Sequence, residues 1–202
     1  MLTMHGEIDL WIKIAYTALL AVILPTYAVW WGWRNFLWFS DIALITTGVA
    51  LWLDNSLLAS MMALAVLVPE LLWTASYFGR LLFGIRVTDL AGYMFDPRKP
   101  LFVRALSLFH IILPAVLLWM LHGLGYDPRA LIGQTLLAWL VLPVTYAVIS
   151  PADENINWVR GPDKLQQRIP PRAWLALLML AFPIGLYFPT HLVLQALFAR
   201  AS

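Results

Sequence analysis

LWIKIAYTALLAVILPTYAVWWGWRNFLWFSDIALITTGVALW, residues 10–52, decides the fold. It holds two apolar runs, each close to the roughly 20 residues that an α-helix needs to cross about 30 Å of hydrocarbon. The polar break between them, WGWRN, is rich in the tryptophans that membrane helices place at the lipid–water boundary. The second run has an aromatic collar at Trp38 and Phe39, followed by Ser40 and Asp41 before its apolar body begins. A carboxylate inside such a helix faces the protein interior and has a partner or a task.

The same pattern continues to the end of the chain. Spans are expected at 10–31, 35–53, 56–78, 100–121, 129–150 and 173–197, separated by turn signals such as LDNS, DPRKP, GLGYDP and SPADEN. With 62% hydrophobic residues, 12% charged residues and a mean hydropathy of +0.79, the chain lies outside the soluble range. The expected fold is all-α: a polytopic membrane helix bundle of six transmembrane helices, forming a single integral membrane domain over residues 1–202. Prolines within the spans, Pro25, Pro69, Pro114, Pro143, Pro183 and Pro189, mark expected kinks. The start of the chain lacks the basic region and small-residue cleavage site of a secretory signal, so the first span is expected to be retained. There is no cysteine, which excludes disulfides, thiolate metal sites and a cysteine nucleophile. The net charge of +2 reads as basic loops beside anionic lipid, and nucleic acid is not an expected partner.

Ten of the 13 Lys and Arg residues fall in the loops after the first, third and fifth spans. By the positive-inside rule these loops are cytoplasmic and both termini lie outside, in a multi-pass protein of the cell inner membrane. On that layout Asp41, Glu70 and His110 sit roughly 9, 12 and 15 Å from the cytoplasmic ends of their helices, nearly at one level. They form the expected site, with Ser40 beside Asp41 and Ser107 one turn before His110. Asn155, Asn157 and Trp158, in ENINW, are expected to cap it. Arg98 and Arg104, with Lys99, can clasp a lipid phosphate at the interface or serve as ordinary positive-inside anchors. Two plainer arrangements stand beside this one: Asp41 as an interfacial residue, and Glu70 as a latch to His110 or Arg104. His122 and His191 lie toward the other face; paired, they would ligate a haem, although structural roles suit them better.

The order and spacing of these residues resemble the androgen-induced-gene type intramembrane hydrolases and related bacterial integral membrane proteins. The resemblance rests on Ser40 and Asp41 early in the second helix, Pro69–Glu70 in the third, and Asp96–Pro97 leading to Phe109–His110. It continues through Asn157–Trp158 after the fifth helix and Pro171 with Trp174 entering the last. It implies a hydrolase whose essential pair, a hydroxyl residue in an early helix and a histidine in a later one, maps onto Ser40 and His110. Asp41 and Glu70 are additions to that pattern.

The chemistry expected of the cluster is hydrolysis of, or acyl transfer from, an ester of a membrane lipid. His110 is the general base for Ser40 or Ser107, and Asp41 or Glu70 fixes the imidazole tautomer. No cofactor is required, although two carboxylates and a histidine are also a ligand set for a divalent cation. The rival classes are a proton- or cation-coupled small transporter using Asp41 and Glu70, and an accessory subunit that binds a membrane protein partner or a second copy of itself.

Overall fold

The computed structural model describes residues 8–149, 155–161 and 168–198. The expected turn at 150–154 and the loop residues 162–167 lie outside the described residues. The described chain is an all-α bundle: α1 (Leu10–Trp30), α2 (Phe39–Trp52), α3 (Ser56–Phe83), α4 (Leu101–Leu124), α5 (Ala130–Val148) and α6 (Pro171–Phe198). Five of these are long and apolar enough to cross a membrane. The sixth, α2, has 14 residues and falls short of a full span.

The shortness of α2 corrects the expected start at residue 35. Gly32 turns the chain with φ 80°, and Trp33–Leu37 then winds as a 3₁₀ helix, so α2 proper begins only at Phe39. It is surrounded by protein on most sides: Ala43, Leu44, Thr47, Gly48, Ala50 and Leu51 are all buried. Gly48 lets α1 approach closely, since a Cβ there would stand 2.6 Å from the Leu20 side chain and 3.5 Å from the Tyr16 ring.

α3 is the central column and packs against α2, α4 and α5. Its Asn55 N-cap side chain accepts from the Leu58 amide at 2.9 Å, satisfying one of the open donors of the first turn. It runs to Phe83, five residues past its expected end at 78, and stops at Gly84. The left-handed φ of 66° there allows the Ile85 amide to donate back to the Gly79 carbonyl at 3.1 Å.

Two helices contain irregular turns. In α4 the tight bonds Ser107 N to Arg104 O (3.0 Å) and His110 N to Ser107 O (3.2 Å) break the ladder around residues 107 and 108. In α6 the segment Phe182–Tyr187, holding Pro183, widens to a π-helix. α1 is held at the edge of the bundle by polar contacts. Lys13 Nζ and the Ile8 amide both donate to Asp54, at 2.7 and 2.8 Å, and Tyr16 donates to the Leu44 carbonyl at 2.9 Å. The main buried core draws residues from all six helices.

Candidate active site

The loops after α1, α3 and α5 converge at one end of the bundle, where they and the adjoining helix ends enclose a cavity of about 750 Å³. That is within the roughly 300–1,000 Å³ typical of small-molecule sites. The acidic and imidazole side chains Asp41, Glu70 and His110 all line it, as do Ser40 and Ser107. So do Asn155, Asn157 and Trp158.

Their convergence has a different geometric cause from equal depth along the helices. Asp41 is in the first turn of α2, because α2 starts inside the bundle beneath the 3₁₀ turn. Glu70 lies roughly 20 Å from the α3 terminus at Phe83, because α3 continues five residues past its expected end. The late start of one helix and the overrun of the other compensate.

The centre of the site is a close pair. His110 Nδ1 and Glu70 Oε2 are 2.6 Å apart, with the Glu70 side chain 2% and the His110 side chain 12% exposed. The imidazole is stacked on Trp73 at 4.6 Å and 27° and on Phe109 at 4.1 Å and 29°, so its plane is clamped. With Glu70 ionised, Nδ1–H donates to the carboxylate and the tautomer is set, leaving Nε2 as an acceptor. Nε2 makes no hydrogen bond within the described residues, and Glu70 Oε1 is buried without one.

The two serines differ. The Ser107 hydroxyl is engaged with the Tyr27 hydroxyl at 2.7 Å. The Ser40 hydroxyl has no hydrogen bond among the described residues and is not fully buried. Asp41, 3% exposed, accepts from Asn35 Nδ2 at 3.1 Å. Asn157 fixes this end of α2 from another loop. Its Oδ1 accepts from the Phe39 amide at 3.1 Å and its Nδ2 donates to the Leu37 carbonyl at 2.7 Å. Both Asn157 and Trp158 have left-handed backbone, φ 51° and 53°. Asn tolerates this, whereas for Trp it stores strain on the order of 1–3 kcal/mol. The Trp158 carbonyl accepts from Trp174 Nε1 at 2.7 Å and its ring meets Trp38 edge-on at 5.9 Å, which holds the strained turn over the cavity.

The two arginines of the expected phosphate clasp do not line the cavity. Arg98 is 88% exposed and forms a bidentate pair with its neighbour Asp96, holding that carboxyl down at about 2. Arg104 donates to the Met94 carbonyl at 2.7 Å and so supports the loop from below. Lys99 lines the cavity instead, its Nζ 3.4 Å from the centroid of the Trp31 ring. Asp41, Glu70 and His110 do not assemble into a metal-ligand group, and no three His, Cys, Asp or Glu side chains among the described residues do. His122 is exposed and His191 is bonded to the Tyr126 hydroxyl at 2.7 Å, so the two do not face each other as haem ligands.

Several lining residues carried no signal in the sequence reading. Tyr27, Trp31 and Trp73 read as ordinary interfacial or core aromatics, and Asn35 reached Asp41 only because the 3₁₀ turn doubles the chain back. Tyr93 sits in a loop whose folding the sequence does not announce. Burial there pushes its phenol well above the ordinary range, offset only in part by interaction with Ser107. Comparison with known proteins finds no matching family model, no matching curated sequence and no matching solved structure.

Proposed function

We propose that the protein is an intramembrane hydrolase or acyltransferase acting on a lipid ester, with Ser40 as nucleophile, His110 as general base and Glu70 as the residue that orients and charge-stabilises the imidazole. The observation that carries this reading is the Glu70–His110 pair, which leaves Nε2 without a partner beside a cavity that also holds an unengaged serine hydroxyl. These are the roles of a catalytic triad, recognised by geometry and not by chain order. Ser107 is the weaker candidate, because its hydroxyl is bound to Tyr27.

In the reaction the Ser40 oxygen attacks the ester carbonyl while His110 Nε2 takes the hydroxyl proton. The same nitrogen then returns that proton to the departing alcohol, leaving an acyl-serine. Water, or a second alcohol in the transferase version, enters by the reverse sequence and regenerates Ser40. Glu70 accepts from Nδ1–H throughout and so orients and stabilises the imidazolium. By the positive-inside rule the cavity opens toward the cytoplasmic leaflet of the inner membrane, so an ester at the interface reaches it sideways.

A fluorophosphonate probe tests the reading directly, since it labels only activated serines. Detergent-purified protein is expected to be labelled, Ser40→Ala to abolish labelling, and Ser107→Ala to retain it. His110→Ala is expected to slow labelling about 10²–10⁴-fold, the usual worth of a general base. Undiminished labelling of Ser40→Ala, or none of the parent protein, would sink the assignment.

A further inference from the structure

Beyond the reacting atoms, the cavity has a charge and surface character that selects a headgroup. Among the described residues its acidic and basic lining side chains include three carboxyl groups, Asp41, Glu70 and Asp89, and one amine, Lys99. In the cavity lining the rings of Trp31 and Tyr93 stand nearly perpendicular, 80° apart with centroids at 6.1 Å, and form an aromatic corner. The Lys99 ammonium lies in that corner, 3.4 Å from the Trp31 centroid and 5.9 Å from that of Tyr93. An alkylammonium group therefore fits there, held by the ring faces through cation–π attraction.

A carboxylate from the loop that carries Tyr93 lines the same cavity. Asp89 folds back over Gly92, the residue before Tyr93, closely enough that a Cβ on Gly92 would stand 2.5 Å from Asp89 Oδ1. The Asp89 carboxylate makes no hydrogen bond or ion pair with any described residue, so its charge is available to a ligand. Two aromatic faces and a carboxylate are the recognition elements for an amine or quaternary ammonium.

We infer that Trp31, Tyr93 and Asp89 form a headgroup subsite for a zwitterionic, amine-bearing phospholipid, whose ammonium takes the aromatic corner now filled by Lys99. The displaced Lys99 ammonium then meets the ligand's own phosphate, which lies a few bonds from the ammonium in such a headgroup. This exchange leaves the net charge of the cavity unchanged, since the headgroup carries one charge of each sign. The inference names the substrate class of the site proposed above and rests on that reading for its catalytic meaning, but recognition itself needs no turnover.

The test therefore measures binding in Ser40→Ala protein, held in maltoside detergent and titrated with dihexanoylphosphatidylcholine or dihexanoylphosphatidylglycerol. The two lipids share chains and phosphate and differ in the ammonium. Quenching or enhancement of tryptophan fluorescence reports saturation. The choline lipid is expected to bind at least about tenfold more tightly than the glycerol lipid, the effect of roughly 1.4 kcal/mol. Trp31→Leu is expected to remove most of that preference and Trp31→Phe to retain it. Asp89→Asn, a change at an exposed position that leaves packing intact, is expected to reduce it several-fold and serves if Trp31→Leu does not fold. Equal binding of the two lipids, a preference for the glycerol lipid, or a preference unchanged in Asp89→Asn and Trp31→Leu would overturn the proposal. Absence of fluorophosphonate labelling in the parent protein, with an intact choline preference in Ser40→Ala, would count against the catalytic reading alone, and the converse against the headgroup subsite alone.

Discussion

At the scale of single residues, Glu70 touches His110 through one carboxylate oxygen, and that contact has two separable components: geometry and charge. Glu70→Gln keeps an acceptor for Nδ1–H but removes the carboxylate that, in the proposed mechanism, stabilises the imidazolium. Fluorophosphonate labelling of Ser40 is expected to slow about 10²-fold or more while the thermal unfolding temperature in detergent moves little. An unchanged labelling rate would reduce Glu70 to a structural latch, one of the two plainer arrangements read from the sequence. A different carboxylate shows the effect of acid. Asp96 is held at about 2 by Arg98, below its ordinary 3.8. A depressed carboxyl contributes stability that is present above its ordinary value and is lost as pH falls from about 4 to about 2. Arg98→Gln lets Asp96 titrate nearer its ordinary value, so the acid-side fall in unfolding temperature within that window is expected to become shallower than in the parent. The polar identities of the site were readable in the sequence because lipid penalises them one by one: Asp41, Glu70 and His110 stand out among apolar neighbours. Aromatic partners such as Trp73 and Tyr27 were not, since an aromatic in a membrane helix is equally suited to lipid, core or ligand.

At the scale of elements, the helix starts and stops followed local chemistry wherever a cap or a turn signal was present. α1, α4, α5 and α6 lie within a few residues of their expected bounds, and Asn55 begins α3 where the sequence placed it. Two ends departed from expectation. α3 continued to Phe83 because nothing before Gly84 stops an apolar helix, and α2 began late because Gly32 and the 3₁₀ turn replaced its first turn. Both departures move polar residues relative to the helix ends, and together they assemble the site. The α2 start depends on Asn157, which lies 118 positions from Phe39 in sequence. Asn157→Ala leaves the Phe39 amide and the Leu37 carbonyl without their partner. A destabilisation of about 1–3 kcal/mol is expected, read as a lowered unfolding temperature in detergent, along with weaker labelling of Ser40. A variant as stable as the parent would show that water or lipid replaces the amide without loss.

At the scale of the whole molecule, the loops after α1, α3 and α5 build the cavity while Tyr126, Asp127 and Arg129 mark the opposite end. The absence of cysteine makes the orientation simple to measure. Arg98→Cys and Arg129→Cys place single thiols on side chains that are 88% and 77% exposed, at opposite ends. In right-side-out vesicles an impermeant maleimide is expected to label only the second, and in inverted vesicles only the first; labelling of both from one side would refute the bundle's layout. The bundle was readable from apolar length, and the convergence of three loops on one cavity was not, because loop folding depends on contacts distant in sequence. The Asn157 clamp also has a temporal meaning. A ribosome that has released only the first four helices has made an α2 too short to span the bilayer, with its leading end unsatisfied. That end gains its partner only when the stretch after α5 emerges, and a nascent chain halted before residue 155 cannot complete the pocket.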